Sequence, residues 1–387
     1  MNQFDDIRPY HDAEVTHVLT RLIADSEFID LLLARRVPLL PAVLRPLARP
    51  LLRRSLQRLT ADVVSVADLQ SHMAASLESL LDKTTDGYSF GGLDQLDTHR
   101  AHLFISNHRD IALDPAMVNL ALHSVDLDTV RIAIGDNLLS KPFASDLMRV
   151  NRSFIVKRSV TGRREKLAAL KELSAYIRHS IQQDNVSCWI AQAEGRAKDG
   201  NDRTETALLK MLALSKSSDQ SFASAIGELR LMPVALSYEY DPCIAEKAGE
   251  LLAAAQGRDY IKSEYEDLDS IQKGFVGYKG RIQVNFGDPI EHNFNDADDL
   301  AAQIDRQITG LYQLFPSHII AWQMQGQREG QIDSATLALL QKNWPDEDWA
   351  EAEIQFKRYL DSLPGELREI IIGIYSAPVI NQLNYHQ

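Results

Sequence analysis

The sequence predicts an α/β fold: a mostly parallel central sheet flanked by helices, with helical extensions at the N-terminal and C-terminal ends. From residue 101 onward, short apolar runs that are typical of buried strands alternate with longer runs of helical periodicity. Such alternation favours strand–helix–strand units, which build parallel sheets. The 387 residues, 45% of them hydrophobic, suffice for one large core with a helical appendage. We therefore expect a helical region over residues 1–94, an α/β domain over 95–325 and a helical extension over 326–387.

The predicted elements follow one another in regular order along the α/β domain. Strands are expected at residues 103–105, 130–134, 153–156, 186–191, 229–236 and 281–286. Helices are expected at residues 115–122, 141–150, 163–182, 205–214 and 298–314. Before the domain, residues 59–81 are typical of one long helix, and Gly91-Gly92 predicts a turn.

Composition and charge restrict the functions that the chain can have. The net charge of −13 argues against a nucleic-acid partner. Cys188 and Cys243 lack metal-ligand spacing, so we expect neither a metal site nor a disulfide framework. The first twenty residues contain four acids and lack the apolar core of a signal peptide, and no run of eighteen uncharged apolar residues occurs. We therefore expect a cytoplasmic protein without a membrane-spanning segment.

A basic and apolar segment over residues 28–58 departs from the acidic remainder of the chain. It contains one acid, Asp30, ten leucines and four prolines. Its seven arginines are Arg35, Arg36, Arg45, Arg49, Arg53, Arg54 and Arg58. This composition favours a segment that lies in the interface of an anionic membrane, so that the protein is peripheral on the inner membrane face. The alternative is an arginine-rich helical pair packed against the acidic body of the same protein.

A polar cluster at a predicted strand-to-helix corner is the first candidate site. Asn107 and His108 follow the apolar run 103–105, and Asp114-Pro115 predicts the start of a helix, with the aspartate as N-cap. A histidine held by a carboxylate can act as a general base, because the acid fixes the tautomer and stabilises the imidazolium. Six positions do not return to the same helix face, so the corner itself must bring the two side chains together.

The same corner allows simpler interpretations. Asp114 could serve as a helix cap alone, and Asp110 could pair with Arg109. Asn107 could position the corner or make a hydrogen bond in the core. The catalytic interpretation becomes persuasive only together with the polar clusters at the ends of later strands.

Cations cluster at the ends of two later predicted strands. Lys157 and Arg158 end the strand at 153–156. Glu194, Gly195, Arg196 and Lys198 follow the strand at 186–191. The cations could simply extend to water. Alternatively they form an anion pocket, because arginine binds phosphate through a bidentate fork and lysine through a point charge.

The order of these clusters resembles the glycerol-3-phosphate and lysophosphatidate acyltransferase superfamily. Four blocks carry the resemblance, which covers roughly residues 95–290. They are Asn107-His108 with Asp114, Phe154-Ile155 with Arg158, Glu194-Gly195-Arg196, and Pro233-Val234. All four blocks in order are far more specific than any one of them. The second block and the run 232–239 are most similar to the branch that acts on glycerol 3-phosphate.

The resemblance implies a function in phospholipid biosynthesis. A fatty acyl group would pass from an acyl thioester (acyl-CoA or acyl carrier protein) to a hydroxyl of glycerol 3-phosphate or 1-acylglycerol 3-phosphate. No metal and no cofactor beyond this co-substrate is implied. His108 and Asp114 would form the general-base pair. Substrate binding would involve Asn107, Lys157, Arg158, Glu194, Gly195, Arg196 and Lys198.

The blocks depart from the family pattern in two places. The usual His-x4-Asp spacing is His108-x5-Asp114 here, which leaves Asp110 as the substitute acid, and one residue is missing between Gly195 and Arg196. A non-catalytic peripheral lipid-binding protein on the same fold is therefore the alternative. An α/β hydrolase is disfavoured, because the sequence lacks a Gly-x-Ser-x-Gly nucleophile motif.

Overall fold

The computed structural model describes residues 3–37, 41–139, 141–260, 266–291, 293–329 and 334–385. It contains a seven-stranded sheet with helices on both faces. The strands are β1 (Gly87–Gly91), β2 (Leu103–Ser106), β3 (Arg131–Gly135), β4 (Ser153–Val156), β5 (Cys188–Ala191), β6 (Leu231–Tyr238) and β7 (Arg281–Phe286). Their order across the sheet is β1-β7-β6-β2-β5-β3-β4. Neighbouring strands are parallel except for β6 and β7. The predicted α/β fold is confirmed.

The helices agree with the predicted order, and their bounds differ in detail. Before and within the sheet region they are α1 (Asp12–Ala24), α2 (Ser26–Arg36), α3 (Arg45–Leu59), α4 (Val66–Thr84), α5 (Leu113–His123), α6 (Pro142–Val150), α7 (Arg163–Gln182), α8 (Thr206–Leu212) and α9 (Phe222–Gly227). They continue with α10 (Ile244–Ala255), α11 (Glu266–Val276), α12 (Ala297–Leu311), α13 (Pro316–Glu329), α14 (Ser334–Gln341), α15 (Trp349–Asp361) and α16 (Arg368–Tyr385).

Two sequence-based assignments before the domain are corrected by the structure. The expected single helix at 59–81 is wrong: α3 ends at Leu59, and α4 starts after Ser65, whose hydroxyl accepts from the N–H group of Asp68 in a capping box. The sheet also contains β1, an edge strand that the sequence analysis did not predict. Strand β1 pairs with β7 along its whole length. The sequence of β1, GYSFG, is half-exposed and has glycine at both ends. It therefore lacks the apolar run that predicts a strand.

The central strand β2 separates two apolar cores. Leu103 and Ile105 point to the face covered by α7, α8 and α12, whereas Phe104 points to the face covered by α4 and α5. This division follows from the two-residue side-chain period of a strand. Since β2 is buried on both faces, its sequence is a continuous apolar run.

Further cores lie at the two ends of the chain. Helices α10, α13, α15 and α16 enclose a cluster around Phe356 and Tyr375. Near the N-terminus, Val15 and Val18 of α1 pack with Phe143 of α6. Residues 330–333 and 386–387 of the expected C-terminal extension lie outside the described residues.

Candidate active site

The corner after β2 brings His108 and Asp114 into contact. The Nδ1 atom of His108 lies 2.9 Å from Oδ2 of Asp114. Strand β2 ends at Ser106, and the following residues turn back so that Asp114 enters the first turn of α5. The side chain of Asp114 is fully buried, and that of His108 is 14% exposed. The imidazole ring therefore lies between the buried Asp114 carboxylate and solvent.

Four donors satisfy the Asp114 carboxylate. Its Oδ2 atom also accepts from the backbone N–H groups of Arg109 at 2.6 Å and Asp110 at 2.9 Å. The hydroxyl group of Tyr238 donates to Oδ1 at 2.8 Å. The start of α5 favours a negative charge here as well, because the helix dipole is positive at its N-terminus.

Asp110, the substitute acid, has a different task. Its Oδ1 atom accepts from the N–H groups of Ala112 at 3.0 Å and Leu113 at 2.8 Å, at the start of α5. The expectation that Asp114 is the N-cap was therefore wrong, since Asp110 supplies the capping oxygen four residues earlier. Burial and the neighbouring Asp114 carboxylate raise the pKa of Asp110 to about 6.

Asn107 fixes the corner to the sheet. Its amide accepts from the N–H group of Leu236 at 2.8 Å and donates to the carbonyl of the same residue at 2.9 Å. It also donates to Asp202 at 3.3 Å. Because the side chain is fully buried and these bonds point into β6 and the loop before α8, the structure places Asn107 behind the site and away from its open side.

Arg109 is held by buried interactions of both its side chain and its backbone. Its guanidinium pairs with Asp202 at 2.6 Å, and its backbone carbonyl accepts from Nζ of Lys247 at 2.7 Å. Lys247 also pairs with Asp241, whose backbone N–H group donates to the hydroxyl of Tyr375 in α16. The C-terminal extension is thus linked through hydrogen bonds to the residue that follows His108.

The ring of His108 lines a cavity of about 1170 Å³. Seven of the nine site residues expected from the sequence line it, namely His108, Lys157, Arg158, Glu194, Gly195, Arg196 and Lys198. Asn107 and Asp114 lie behind the ring. The cavity exceeds the range of about 300–1,000 Å³ that is usual for small-molecule sites. Its volume suits two substrates better than one.

The four cavity cations that were expected from the sequence differ in their existing partners. Lys157 pairs with Asp6 and with Glu172, and Lys198 pairs with Glu250. These two lysines are already neutralised by carboxylates. Their contribution to an anion pocket is correspondingly smaller.

The two arginines are less engaged. Arg158 lies 3.5 Å from Glu194, and both side chains are exposed to solvent. Among the described residues, Arg196 makes one long hydrogen bond, 3.5 Å from Nη2 to the hydroxyl of Ser270. Its Nη1 atom is buried without a hydrogen-bond partner in the part of the chain that the structure describes. A buried donor of this kind is expected to bind an acceptor from a ligand.

One wall of the cavity is apolar. It is built by Leu77 and Leu80 of α4, Ala116 and Leu120 of α5, and Ile271 and Phe275 of α11. Pro233 and Val234, which form the fourth sequence block, lie instead inside β6, opposite Ile105 and Ser106 of β2. The fourth block therefore supports the site from within the sheet.

Two aromatic residues of the site were not found from the sequence. Tyr238 at the end of β6 bonds to Asp114, and Trp189 in β5 meets the His108 ring edge-on with 5.9 Å between ring centroids. The indole N–H of Trp189 donates to the hydroxyl of Ser106 at 3.0 Å. Both lie on strands adjacent to β2. Knowledge of the strand order β6-β2-β5 would have identified them.

The His108–Asp114 pair can move a proton at this site, and the two arginines can bind an anion there. A histidine backed by a carboxylate and open to a large, partly apolar cavity is the arrangement of a general-base transferase or hydrolase. Separately, the described residues include no group of three His, Cys, Asp or Glu side chains that could hold a metal ion.

Part of the chain matches a known protein family. Residues 88–236, from β1 to β6, match the family model described as Acyltransferase. This segment therefore resembles an acyltransferase domain, and it contains three of the four sequence blocks in full together with Pro233-Val234 of the fourth.

The comparison with solved structures gives a distant similarity. The chain is similar to the 1-acyl-sn-glycerophosphate (LPA) acyltransferase, PlsC, from Thermotoga maritima, with 11% sequence identity and a TM-score of 0.36. The match covers 63% of this chain and 80% of that chain. The comparison with curated proteins found no significant match.

Proposed function

We propose that this enzyme transfers a fatty acyl group from an acyl thioester, acyl-CoA or acyl carrier protein, to a hydroxyl of glycerol 3-phosphate or 1-acylglycerol 3-phosphate in phospholipid biosynthesis. The observation that carries the proposal is the 2.9 Å contact between His108 and Asp114 at the edge of the cavity. The arginines beside it suit a phosphorylated acceptor, and the apolar wall suits an acyl chain.

The proposed reaction is a direct attack. With Nδ1 of His108 bound to Asp114, Nε2 is the nitrogen available to the acceptor hydroxyl. As the hydroxyl oxygen attacks the thioester carbonyl carbon, its proton passes to Nε2, and the imidazolium is stabilised by the Asp114 carboxylate. When the tetrahedral intermediate collapses, the C–S bond breaks and the leaving thiolate takes the proton from His108. The products are the ester and the free thiol.

Arg158 and Arg196 bind the acceptor phosphate in this proposal. Both line the cavity with His108, and neither makes a short ion pair with another described residue. Phosphate would replace the exposed Glu194 carboxylate as the partner of Arg158. The unpartnered Nη1 of Arg196 would gain an oxygen acceptor. Lys157 and Lys198 add positive charge at the edge of this site.

An anionic membrane surface is the second partner that we propose. Among the described residues, no helix is both long and apolar enough to cross a bilayer. Helix α3 nevertheless presents two leucines to solvent, Leu47 and Leu51, each 74% exposed. Arg54 and Arg58 continue the same face, at helical spacings of three and four residues, and are also exposed. Leucines beside arginines suit the boundary between acyl chains and anionic headgroups.

The rest of the basic segment packs against the protein. Arg49 pairs with Asp30, Arg53 donates to the carbonyl groups at the end of α1, and Leu52 is buried against α2. One face of α3 therefore packs internally, as the alternative interpretation expected. The other face of α3 is exposed to solvent. Residues 38–40 and the side chain of Arg35 lie outside the described residues.

The test is the release of free thiol from an acyl thioester in the presence of glycerol 3-phosphate or its 1-acyl derivative. Thiol release that requires the acceptor supports the transferase. Release without acceptor would indicate a hydrolase, and binding of lipid without release would indicate the non-catalytic alternative. His108→Ala should lower the rate on the order of 10²- to 10⁴-fold without unfolding the protein. Activity within about threefold of the parent would remove His108 from the mechanism.

A further inference from the structure

Among the described residues, Tyr238 supplies the one hydrogen bond to Oδ1 of Asp114, the carboxylate oxygen that does not contact His108. Its hydroxyl donates to Oδ1 at 2.8 Å, whereas His108 and two backbone N–H groups donate to Oδ2. An ionised carboxylate offers about four lone-pair sites. The four donors therefore match the capacity of the Asp114 carboxylate. Two of the four donors are backbone N–H groups, which a side-chain substitution does not remove. Of the two side-chain donors, His108 is the proposed base, so Tyr238 is the one that can be tested separately.

We infer that Tyr238 is a positioning residue for the reaction: its hydroxyl fixes the plane of the Asp114 carboxylate so that Oδ2 faces His108. This inference rests on the proposed role of the His108–Asp114 pair. It also gives a role to the strand of the fourth sequence block, because Tyr238 is the last residue of that strand.

The position of Tyr238 relative to the corner is set by the sheet. Tyr238 is the last residue of β6, a direct neighbour of β2. The amide of Asn107 bonds to both backbone groups of Leu236, two residues before the tyrosine. The strand and the corner therefore keep a constant separation. A hydroxyl held in this way is preorganised and does not have to be ordered during the reaction.

In the hydrogen bond between Tyr238 and Asp114, the tyrosine hydroxyl is the donor. Burial and the Asp114 carboxylate raise the pKa of Tyr238 above its usual value, so the hydroxyl keeps its proton and donates. Without it, Oδ1 would lie fully buried with no donor, because Asp114 has no exposed surface. The carboxylate could then rotate and present either oxygen to His108. A fraction of the enzyme would hold the imidazole in an unproductive orientation.

Other charged groups surround the pair, and a tyrosine substitution leaves all of them in place. They are Arg109 and Asp110 of the corner, Lys247 of α10, Asp202 and Arg196 of the loop after β5, Asp241 after β6, Lys279 before β7 and Asp267 of α11. A change in turnover on removal of the hydroxyl is therefore attributable to its bond with Asp114.

The first experiment measures turnover of Tyr238→Phe. The expected result is a decrease in kcat on the order of tenfold, as for one hydrogen bond to a charged group, with KM for thioester and acceptor within about twofold of the parent. The matched control is Tyr240→Phe. Tyr240 is 7% exposed against 6% for Tyr238, and its ring packs on Tyr359 instead of contacting the His–Asp pair. The control should keep the parent kcat.

The second experiment tests whether Tyr238 acts through Asp114. In an Asp114→Asn background, Tyr238→Phe should change kcat by less than about twofold, because the group that it positions is already lost. If the fold decrease in kcat of the double variant equals the product of the decreases in the two single variants, the inference is overturned. A parent-like kcat in Tyr238→Phe while His108→Ala is inactive would also overturn it, an outcome that leaves the proposed function standing.

A third measurement does not depend on the substrate. In a crystal structure of Tyr238→Phe, the plane of the Asp114 carboxylate should be rotated, so that Oδ2 no longer lies 2.9 Å from Nδ1 of His108 in every molecule. An unchanged carboxylate plane and an unchanged contact with His108 would overturn the positioning role, even if the proposed acyl transfer also failed its own test.

Discussion

The carboxyl groups of Asp110 and Asp114 lie on one corner and serve different partners. Asp114 accepts from His108 and from two backbone N–H groups, whereas Asp110 accepts from the N–H groups that open α5. Both side chains are buried, and of the two only Asp114 touches the imidazole. The chemistry of the corner thus depends on one carboxylate, and its shape depends on the other.

Asparagine substitutions at these two positions should separate the roles. Asp114→Asn keeps an oxygen for the backbone donors but removes the negative charge that stabilises the imidazolium, so kcat should fall on the order of 10²- to 10⁴-fold. Asp110→Asn keeps the capping oxygen, and kcat should change by less than about tenfold. Steady-state thiol release measures both variants. Equal losses of kcat would contradict the assignment of Asp114 as the partner of His108.

Asp110 should also make the stability of the fold depend on pH. Its pKa is raised from 3.8 to about 6 by burial and by Asp114, so the folded state binds its proton more tightly than the unfolded state. The stabilising contribution is present below about pH 4 and is lost as the pH rises to about 6. Above that pH the penalty is on the order of 3 kcal/mol. Asp110→Asn lacks this penalty.

Denaturant unfolding at several pH values tests this expectation. At pH 8 the Asp110→Asn variant should have a larger free energy of unfolding than the parent, and the difference should shrink towards pH 4. Circular dichroism gives the unfolding midpoint, and the slope with denaturant should be the same for both proteins. A constant difference across the pH range would mean that the carboxyl group of Asp110 is not the titrating group.

Arg158 and Arg196 should determine affinity for the phosphate of the acceptor. Replacing either arginine by alanine should raise KM for glycerol 3-phosphate roughly 10- to 100-fold, the value of one charge-assisted hydrogen bond, and KM for the thioester much less. The parent should prefer glycerol 3-phosphate to glycerol, and each variant should lose part of this preference. For Arg158→Lys, KM for glycerol 3-phosphate should lie between the values of the parent and of Arg158→Ala. Lysine keeps the positive charge but cannot form the bidentate hydrogen bonds of arginine. A parallel rise of both KM values would place the arginines outside the phosphate site.

The fold was largely predictable, because the strands buried on both faces are visible as apolar runs. Strands β4 and β7 and helix α7 were predicted with the bounds that the structure has. Strand β1 was not, since an exposed edge strand with terminal glycines has no apolar run. The break between α3 and α4 is set by a capping box at Ser65 and by packing of Val63 and Val66 against α1 and α6, and leucine periodicity does not show it.

The site was predictable where its residues are consecutive in the chain. The corner, the second block and the third block each place several cavity residues within one short segment. The partners of those residues were not predictable, because they come from distant elements. Tyr238 reaches Asp114 from β6, and Glu250 of α10 neutralises Lys198. Such contacts follow from strand order and helix packing, which local sequence patterns do not specify.

The exposed face of α3 should hold the enzyme on anionic membranes. Leu47 and Leu51 would enter the acyl boundary, and Arg54 and Arg58 would lie among the headgroups. Arg49 and Arg53 are excluded from this role by their contacts with Asp30 and α1. Two arginines near an anionic surface contribute about 2 kcal/mol, which corresponds to roughly a 30-fold change in affinity.

Co-sedimentation with vesicles that contain anionic lipid tests this surface. Arg54→Gln/Arg58→Gln should weaken binding roughly 30-fold, and Leu47→Ser/Leu51→Ser should weaken it through lost insertion, while both proteins keep the parent thermal midpoint. The matched control, Lys357→Gln/Arg358→Gln on α15, makes the same charge change on another exposed helix and should bind as the parent does. Binding of the parent should decrease at high salt, because exposed charges are screened within a Debye length of about 8 Å at physiological ionic strength. Equal binding by the α3 variants and the parent would assign this face of α3 to a role other than membrane contact.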